Sequence, residues 1–183
     1  MIHPDDRKTS HDENPQMKSL KPPNSHHLSA AIGWLGLGNW QEANEELENI
    51  VPELRAHPSV LLVRHEVYAK AGKWDLAAEL ATAIRKINPD EPGVWIALSY
   101  AMRRKSGGGV AAAKKVLVEA QQLFPNEAII AYNLACYECQ LGNRGEAWKW
   151  LESAFDLGDA KKLKLMALED PDLEKFWEEI GEI

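Results

Sequence analysis

The sequence predicts an all-α protein in which helix–turn–helix units stack side by side as a solenoid. Three observations predict it. Apolar residues recur at helical spacing, as in Leu61, Val67, Tyr68 and Ala71, while strand-like alternation is scarce. Gly72-Lys73-Trp74-Asp75 breaks that run, and a second run through Ala77, Leu80, Ala81 and Ile84 follows until Asn88-Pro89-Asp90 stops it. The block from Gly72 to Ala77 then recurs. It matches Gly38-Asn39-Trp40-Gln41-Glu42-Ala43 at an offset of 34 residues, and Gly142-Asn143-Arg144-Gly145-Glu146-Ala147 lies 34 residues beyond the equivalent Ala113. Two short amphipathic helices cannot bury their apolar faces alone, so such units must stack.

In chain order, residues 1–23 are polar and contain Pro4, Pro15, Pro22 and Pro23, which predicts a disordered tail. The histidines His3, His11, His26 and His27 lack the ligand spacing of a metal site. The first unit, 24–57, opens with a helix over Ser25 to Leu37 that is apolar nearly all round: Leu28, Ala30, Ala31, Ile32, Trp34, Leu35 and Leu37. Its Gly33, Gly36 and Gly38 follow no strand, so they signal close helix packing or a weak helix and not a nucleotide loop. The second helix, Gln41 to Arg55, carries an acidic outer face and should kink or end near Val51, because Pro52 removes a backbone donor. Pro58 opens the second unit, 58–91, at a position suited to a first helical turn.

The third unit, 92–127, carries two extra residues, since Ala77 and Ala113 stand 36 apart. Ser106-Gly107-Gly108-Gly109 is where a turn lengthens at small cost. A phosphate loop there would need a preceding strand and a Gly-Lys-Ser/Thr ending, and has neither. The fourth unit is 128–158. Residues 159–183 change pattern, with a short Lys-bearing helix over Ala160 to Leu168. A second helix begins at Asp170-Pro171 and presents one stripe of Leu173, Phe176, Trp177 and Ile180. These are expected to seal the last unit, leaving the N-terminal end open.

The period and its residues resemble the tetratricopeptide repeat. Trp95, Leu98, Ser99, Met102, Ala113, Leu117, Ala120 and Pro125 carry the resemblance in the third unit. Leu61, Tyr68, Ala77, Ala81, Ile84 and Pro89 carry it in the second, where Arg64 and His65 replace the family's Leu-Gly pair. The first keeps Ala31, Trp34, Ala43, Leu47 and Ile50, and the fourth Leu134, Ala135, Ala147, Leu151 and Ala154; both lack the closing Pro at its usual place.

The resemblance implies a right-handed superhelix whose concave side is lined by the first helix of each unit. Family members commonly hold a peptide or helix there. By position, the groove residues implied are Leu28 and Ile32, then Leu62, Glu66 and Lys70, then Ile96, Tyr100, Arg103 and Arg104, and finally Tyr132, Asn133, Cys136 and Gln140. That lining suits an amphipathic helix or an extended apolar segment. The Lys and Asn pattern of members that clamp acidic chaperone tails survives only in fragments, with Leu62, Glu66, Ala97, Ile129 and Asn133 at the corresponding positions.

Composition bounds the remaining classes. A net charge of −7 disfavours nucleic acid and anionic membrane as main partners. No signal peptide and no run of about 18 apolar residues is visible, so a soluble, cytoplasmic protein is expected. Cys136-x-x-Cys139 lies inside a predicted helix, away from the helix start where redox pairs sit, and no second pair completes a zinc site. No catalytic constellation, metal site or cofactor is expected. The expected function is a non-enzymatic scaffold for a protein or peptide partner. The alternative is a self-associating assembly module, or a chaperone or accessory subunit of an enzyme or secretion complex. Homo-oligomerisation would use the apolar N-terminal edge at Leu28, Trp34 and Leu35.

Overall fold

The computed structural model describes residues 19–182, and every regular element among them is helical. Residues 1–18, with His3, His11 and most of the expected tail, lie outside the described residues. Eight helices form four successive pairs: α1 (Asn24–Gly36) with α2 (Trp40–Glu48), α3 (Pro58–Lys70) with α4 (Trp74–Ile87), α5 (Pro92–Arg104) with α6 (Val110–Leu123), and α7 (Ala128–Gln140) with α8 (Arg144–Leu157). Each pair packs internally, and α2, α4 and α6 each touch the first helix of the following pair. The first helices also touch one another, α1 against α3 and α3 against α5.

One recurring stripe holds the stack together. Ala43, Ala77, Ala113 and Ala147 are all fully buried. One turn later Leu47, Ala81, Leu117 and Leu151 are fully buried too. A methyl group at the first of these positions lets the backbones of paired helices approach, and one turn on three leucines and Ala81 continue the buried stripe. The turns repeat as well. Gly38, Gly72 and Gly142 take φ of 78°, 70° and 83°, a left-handed conformation that costs other residues energy. The following residue closes each turn onto the preceding helix: Asn39 donates to the Trp34 carbonyl, Lys73 to Tyr68 and Asn143 to Glu138. In the lengthened third turn Gly109 reaches back to Met102 instead. A Cβ on Gly108 would stand 2.1 Å from the Met102 carbonyl oxygen, so the added residues are tightly folded.

Several boundaries differ from those read in the sequence. The second helix, expected over Gln41 to Arg55 with a kink or end near Val51, ends at Glu48, and Pro52–Leu54 forms a separate 3₁₀ turn. Proline lacks the N–H that would continue the ladder, and Asn24 Oδ1 accepts the Val51 N–H at 3.0 Å, tying this end to α1. The helix α1 is not apolar all round in its packing. Leu35 is buried, Leu28 and Trp34 pack against the same N-terminal core, and Ile32 and Leu37 remain exposed.

Beyond α8 lie α9 (Ala160–Glu169), a 3₁₀ segment over Pro171–Phe176, and α10 (Trp177–Gly181). The single helix expected from Asp170 is therefore a 3₁₀ turn followed by a short α-helix. Asp170 does cap it, accepting the Asp172 N–H at 3.0 Å. Leu173, Phe176 and Ile180 are buried in the C-terminal core. The Phe176 ring meets Trp148 with centroids 5.4 Å apart, and Trp150 packs against the same core. Both tryptophans are thus partly buried although they point to different faces of α8.

Candidate functional site

The first helices each present residues four apart, which places them one above the next on a helical face. In α3 the stripe is Leu62, Glu66 and Lys70; in α5 it is Ile96, Tyr100 and Arg104; in α7 it is Tyr132, Cys136 and Gln140. The structure treats these stripes in two ways.

The stripe on α7 is covered by the chain itself. Tyr132 Oη donates to Asp170 Oδ2 at 3.1 Å, the Cys136 thiol reaches the same oxygen at 3.5 Å, and Gln140 Nε2 donates to the Asp172 carbonyl at 3.3 Å. Arg103, from the last turn of α5, forms a two-pronged pair with Asp172, one prong at 2.8 Å. A guanidinium fork matched to a carboxylate is the strong form of such a contact. Asn133 donates to the Ile129 carbonyl of its own helix at 2.8 Å and is buried. Of the residues implied for the groove, Tyr132, Asn133 and Cys136 are therefore internal here. Arg103 and Gln140 are engaged by the C-terminal segment. The docking of that segment was not legible in its apolar stripe, which does not say which face it will lie on.

Burial sets the chemistry of this covered end. It pushes the Cys136 thiol and the Tyr132 hydroxyl well above their ordinary ranges, and the nearby Asp170 carboxylate adds to both shifts. Tyr137, beneath them, is pushed up to about 12 for the same first reason. Burial also raises Cys139. Both cysteines are free, and neither is held as the thiolate that nucleophilic or redox chemistry needs. Among the described residues no cluster of His, Cys, Asp and Glu could hold a metal ion. No helix among them is long and apolar enough to cross a membrane.

The stripes on α3 and α5 are open. Between them lies a cavity of about 620 Å³ whose walls include Leu62, His65, Glu66, Trp74, Ile96 and Tyr100. An adjoining hollow continues past Tyr100 to Lys70 and Arg104. Tyr100 remains 38% exposed, so its ring faces the opening instead of the core. The Arg104 guanidinium lies 5.1 Å from the ring centroids of both Trp74 and Tyr100, which holds it over the rim. Leu28 and Ile32 of α1 are not among the residues lining this cavity.

Two lining residues were missed in the sequence. Trp74, the aromatic residue of the turn, packs on Ala77, Ala78 and Ala101 but is only partly buried and also walls the cavity. His65 stands where the repeat usually has its small residue, and that substitution was the available signal. It is 6% exposed, and its Nε2 has no hydrogen-bond partner among the described residues. Burial lowers its pKa, against the opposing pull of a hydrogen bond to the Ala97 backbone, so the ring is held neutral.

No family model matches the sequence, and no curated protein matches it either. Solved structures do match. TTC0263, a thermophilic TPR protein of Thermus thermophilus, superposes with a TM-score of 0.69 at 20% identity, over 86% of this chain and 83% of that one. MamA of Desulfovibrio magneticus RS-1, from residue 41 onward, gives 0.63 at 16% identity, over 73% of this chain and 75% of that one. YrrB, a TPR protein with an unusual peptide-binding site, gives 0.62 at 16% identity, over 81% of this chain and 75% of that one.

Proposed function

From the tetratricopeptide-repeat fold that this chain carries, we propose that it is a non-enzymatic scaffold that holds a peptide or amphipathic helix of a partner protein between α3 and α5. The observation that carries this reading is the contrast in the concave stripes. Identical positions on α7 already hold a segment of polypeptide, and those on α3 and α5 stand open around an apolar cavity. Such a hollow, in which Leu62, Trp74, Val94, Ile96 and Tyr100 stand among polar residues such as His65, Glu66 and Asn88, is suited to anchoring one or two apolar side chains of a partner. The peptide-binding site of YrrB gives the same architecture a precedent for that role. The buried, protonated thiols supply no nucleophile, which supports a role in holding a partner that does any chemistry itself.

The test compares proteins captured by the purified chain with those captured by Tyr100→Ala and by Val118→Ala on the outer helix α6. Partners held in the groove are lost with Tyr100→Ala and kept with Val118→Ala, while circular dichroism stays unchanged in both. Capture that survives Tyr100→Ala contradicts the reading.

A further inference from the structure

His65 departs from the other units. Counting along the repeat puts Ala31, Ser99 and Ala135 at its position, and all three are fully buried. The Ser99 hydroxyl is satisfied there: it donates to the Ile96 carbonyl at 2.8 Å and meets the Tyr137 hydroxyl at 3.2 Å. The His65 ring, 6% exposed, is matched on one side only. Its hydrogen bond to the Ala97 backbone favours the protonated ring, so the Ala97 partner is the carbonyl, accepting a ring N–H. A neutral imidazole has one donor and one acceptor nitrogen. With the donor engaged by Ala97, Nε2 carries the lone pair, and it has no hydrogen-bond partner among the described residues. A buried acceptor without a donor is unfavourable until one reaches it.

The same ring walls both the cavity and the adjoining hollow, so an occupant lies against it. The acids of the cavity wall, Glu66 and Glu91, accept as well, while Ser59, Asn88 and Tyr100 can act either way. Such a wall suits a group that only donates, and the side chains of that kind are Lys, Arg and Trp. A charged head set against a ring that burial keeps neutral would give up its water without a counter-charge there. An indole N–H carries no charge, and its flat apolar body matches walls that include Leu62, Trp74, Ile96 and Tyr100.

We propose that His65 is a specificity-determining residue of this groove, and that the side chain it selects is an indole whose N–H donates to the free imidazole nitrogen. This rests on the groove reading above and deepens it, because it names the anchor. The departure from a small residue at this one repeat position then has a use that Ala31, Ser99 and Ala135 do not share.

The experiment titrates the full chain, labelled with nitrogen-15 in its histidine rings, with two isomers of equal size. 3-Methylindole keeps the N–H and carries its methyl where tryptophan joins its backbone; 1-methylindole has no N–H. The first should bind about two- to ten-fold more tightly, the gain of one matched hydrogen bond. It should also move the His65 Nε2 resonance toward that of a hydrogen-bonded acceptor, which 1-methylindole should not do. His65→Phe, which keeps a ring of similar shape, should bind the two isomers equally, and Tyr100→Ala should weaken both. Equal binding to the parent chain, an unmoved Nε2 resonance, or a preference that survives His65→Phe overturns the role of His65, and the groove stands if Tyr100→Ala still weakens binding. Binding of neither isomer to the parent chain overturns both readings.

Discussion

The concave face of α3 and α5 and that of α7 are built from the same repeat positions, yet one is open and the other is filled. Tyr132, Cys136 and Gln140 meet Asp170 and Asp172, whereas among the described residues no segment covers Leu62, Glu66, Ile96, Tyr100 and Arg104. The difference teaches that the repeat fixes where the stripe lies, while the sequence beyond the repeats decides how much of it stays uncovered. Filling one stretch also has a structural return, because Leu173 and Phe176 close the end of the core that the last pair would otherwise expose.

The strongest way to break the comparison is to remove the filler. Phe176→Ala deletes a buried ring packed on Trp148 and should cost about 3–5 kcal/mol in urea unfolding. A loss below about 1 kcal/mol would mean that the C-terminal segment is not docked as described. Next come the two tyrosines. Tyr132→Ala should destabilise by about 2–4 kcal/mol and leave partner capture intact, because its ring is internal. Tyr100→Ala should do the reverse, lowering capture more than about ten-fold with little change in the unfolding midpoint. An exchange of these two phenotypes would reverse the assignment of the open and filled stretches.

The adjacent arginines sharpen the contrast further. Arg103→Gln strands the Asp172 carboxylate and should cost about 1–2 kcal/mol. Arg104→Gln gives up surface ring contacts and a long, exposed hydrogen bond to the Tyr100 carbonyl and should cost less than about 1 kcal/mol. Equal costs in urea would show that Asp172 does not distinguish them.

The smallest effect is a pH dependence. His65 is neutral when folded and its pKa lies below the ordinary 6.5, so the unfolded chain binds the proton more readily. Its contribution is present above pH 6.5 and is lost as pH falls from there through the folded pKa, by at most about 1.4 kcal/mol per pH unit. The thermal midpoint of His65→Leu should therefore fall less steeply between pH 7 and 5 than that of the parent chain. Parallel slopes would place His65 outside the buried site.

Much of the fold was legible because its determinants are local and repeated. Ala43, Ala77, Ala113 and Ala147 with the glycines before them state both the period and the turn. The added length of the third turn could be placed at Gly107 to Gly109 because only small residues tolerate it. Three features were not legible, and each depends on residues distant in sequence. Asp170 reads correctly as a cap, but nothing local says that its second oxygen will accept from Tyr132 38 residues away. The end of α2 was legible at Pro52, but its tie to α1 through Asn24, 27 residues earlier, was not. Trp74 packs on Ala77, Ala78 and Ala101 yet also walls the cavity, together with His65 and Tyr100 from two other helices.

The most direct measurement places a photo-crosslinking phenylalanine analogue at Leu62 in one variant and at Val118 in another, and irradiates each with a Tyr100-dependent partner bound. A partner held between α3 and α5 predicts crosslinks from Leu62 and none from Val118. Crosslinks from Val118 alone, or from both positions equally, would contradict it.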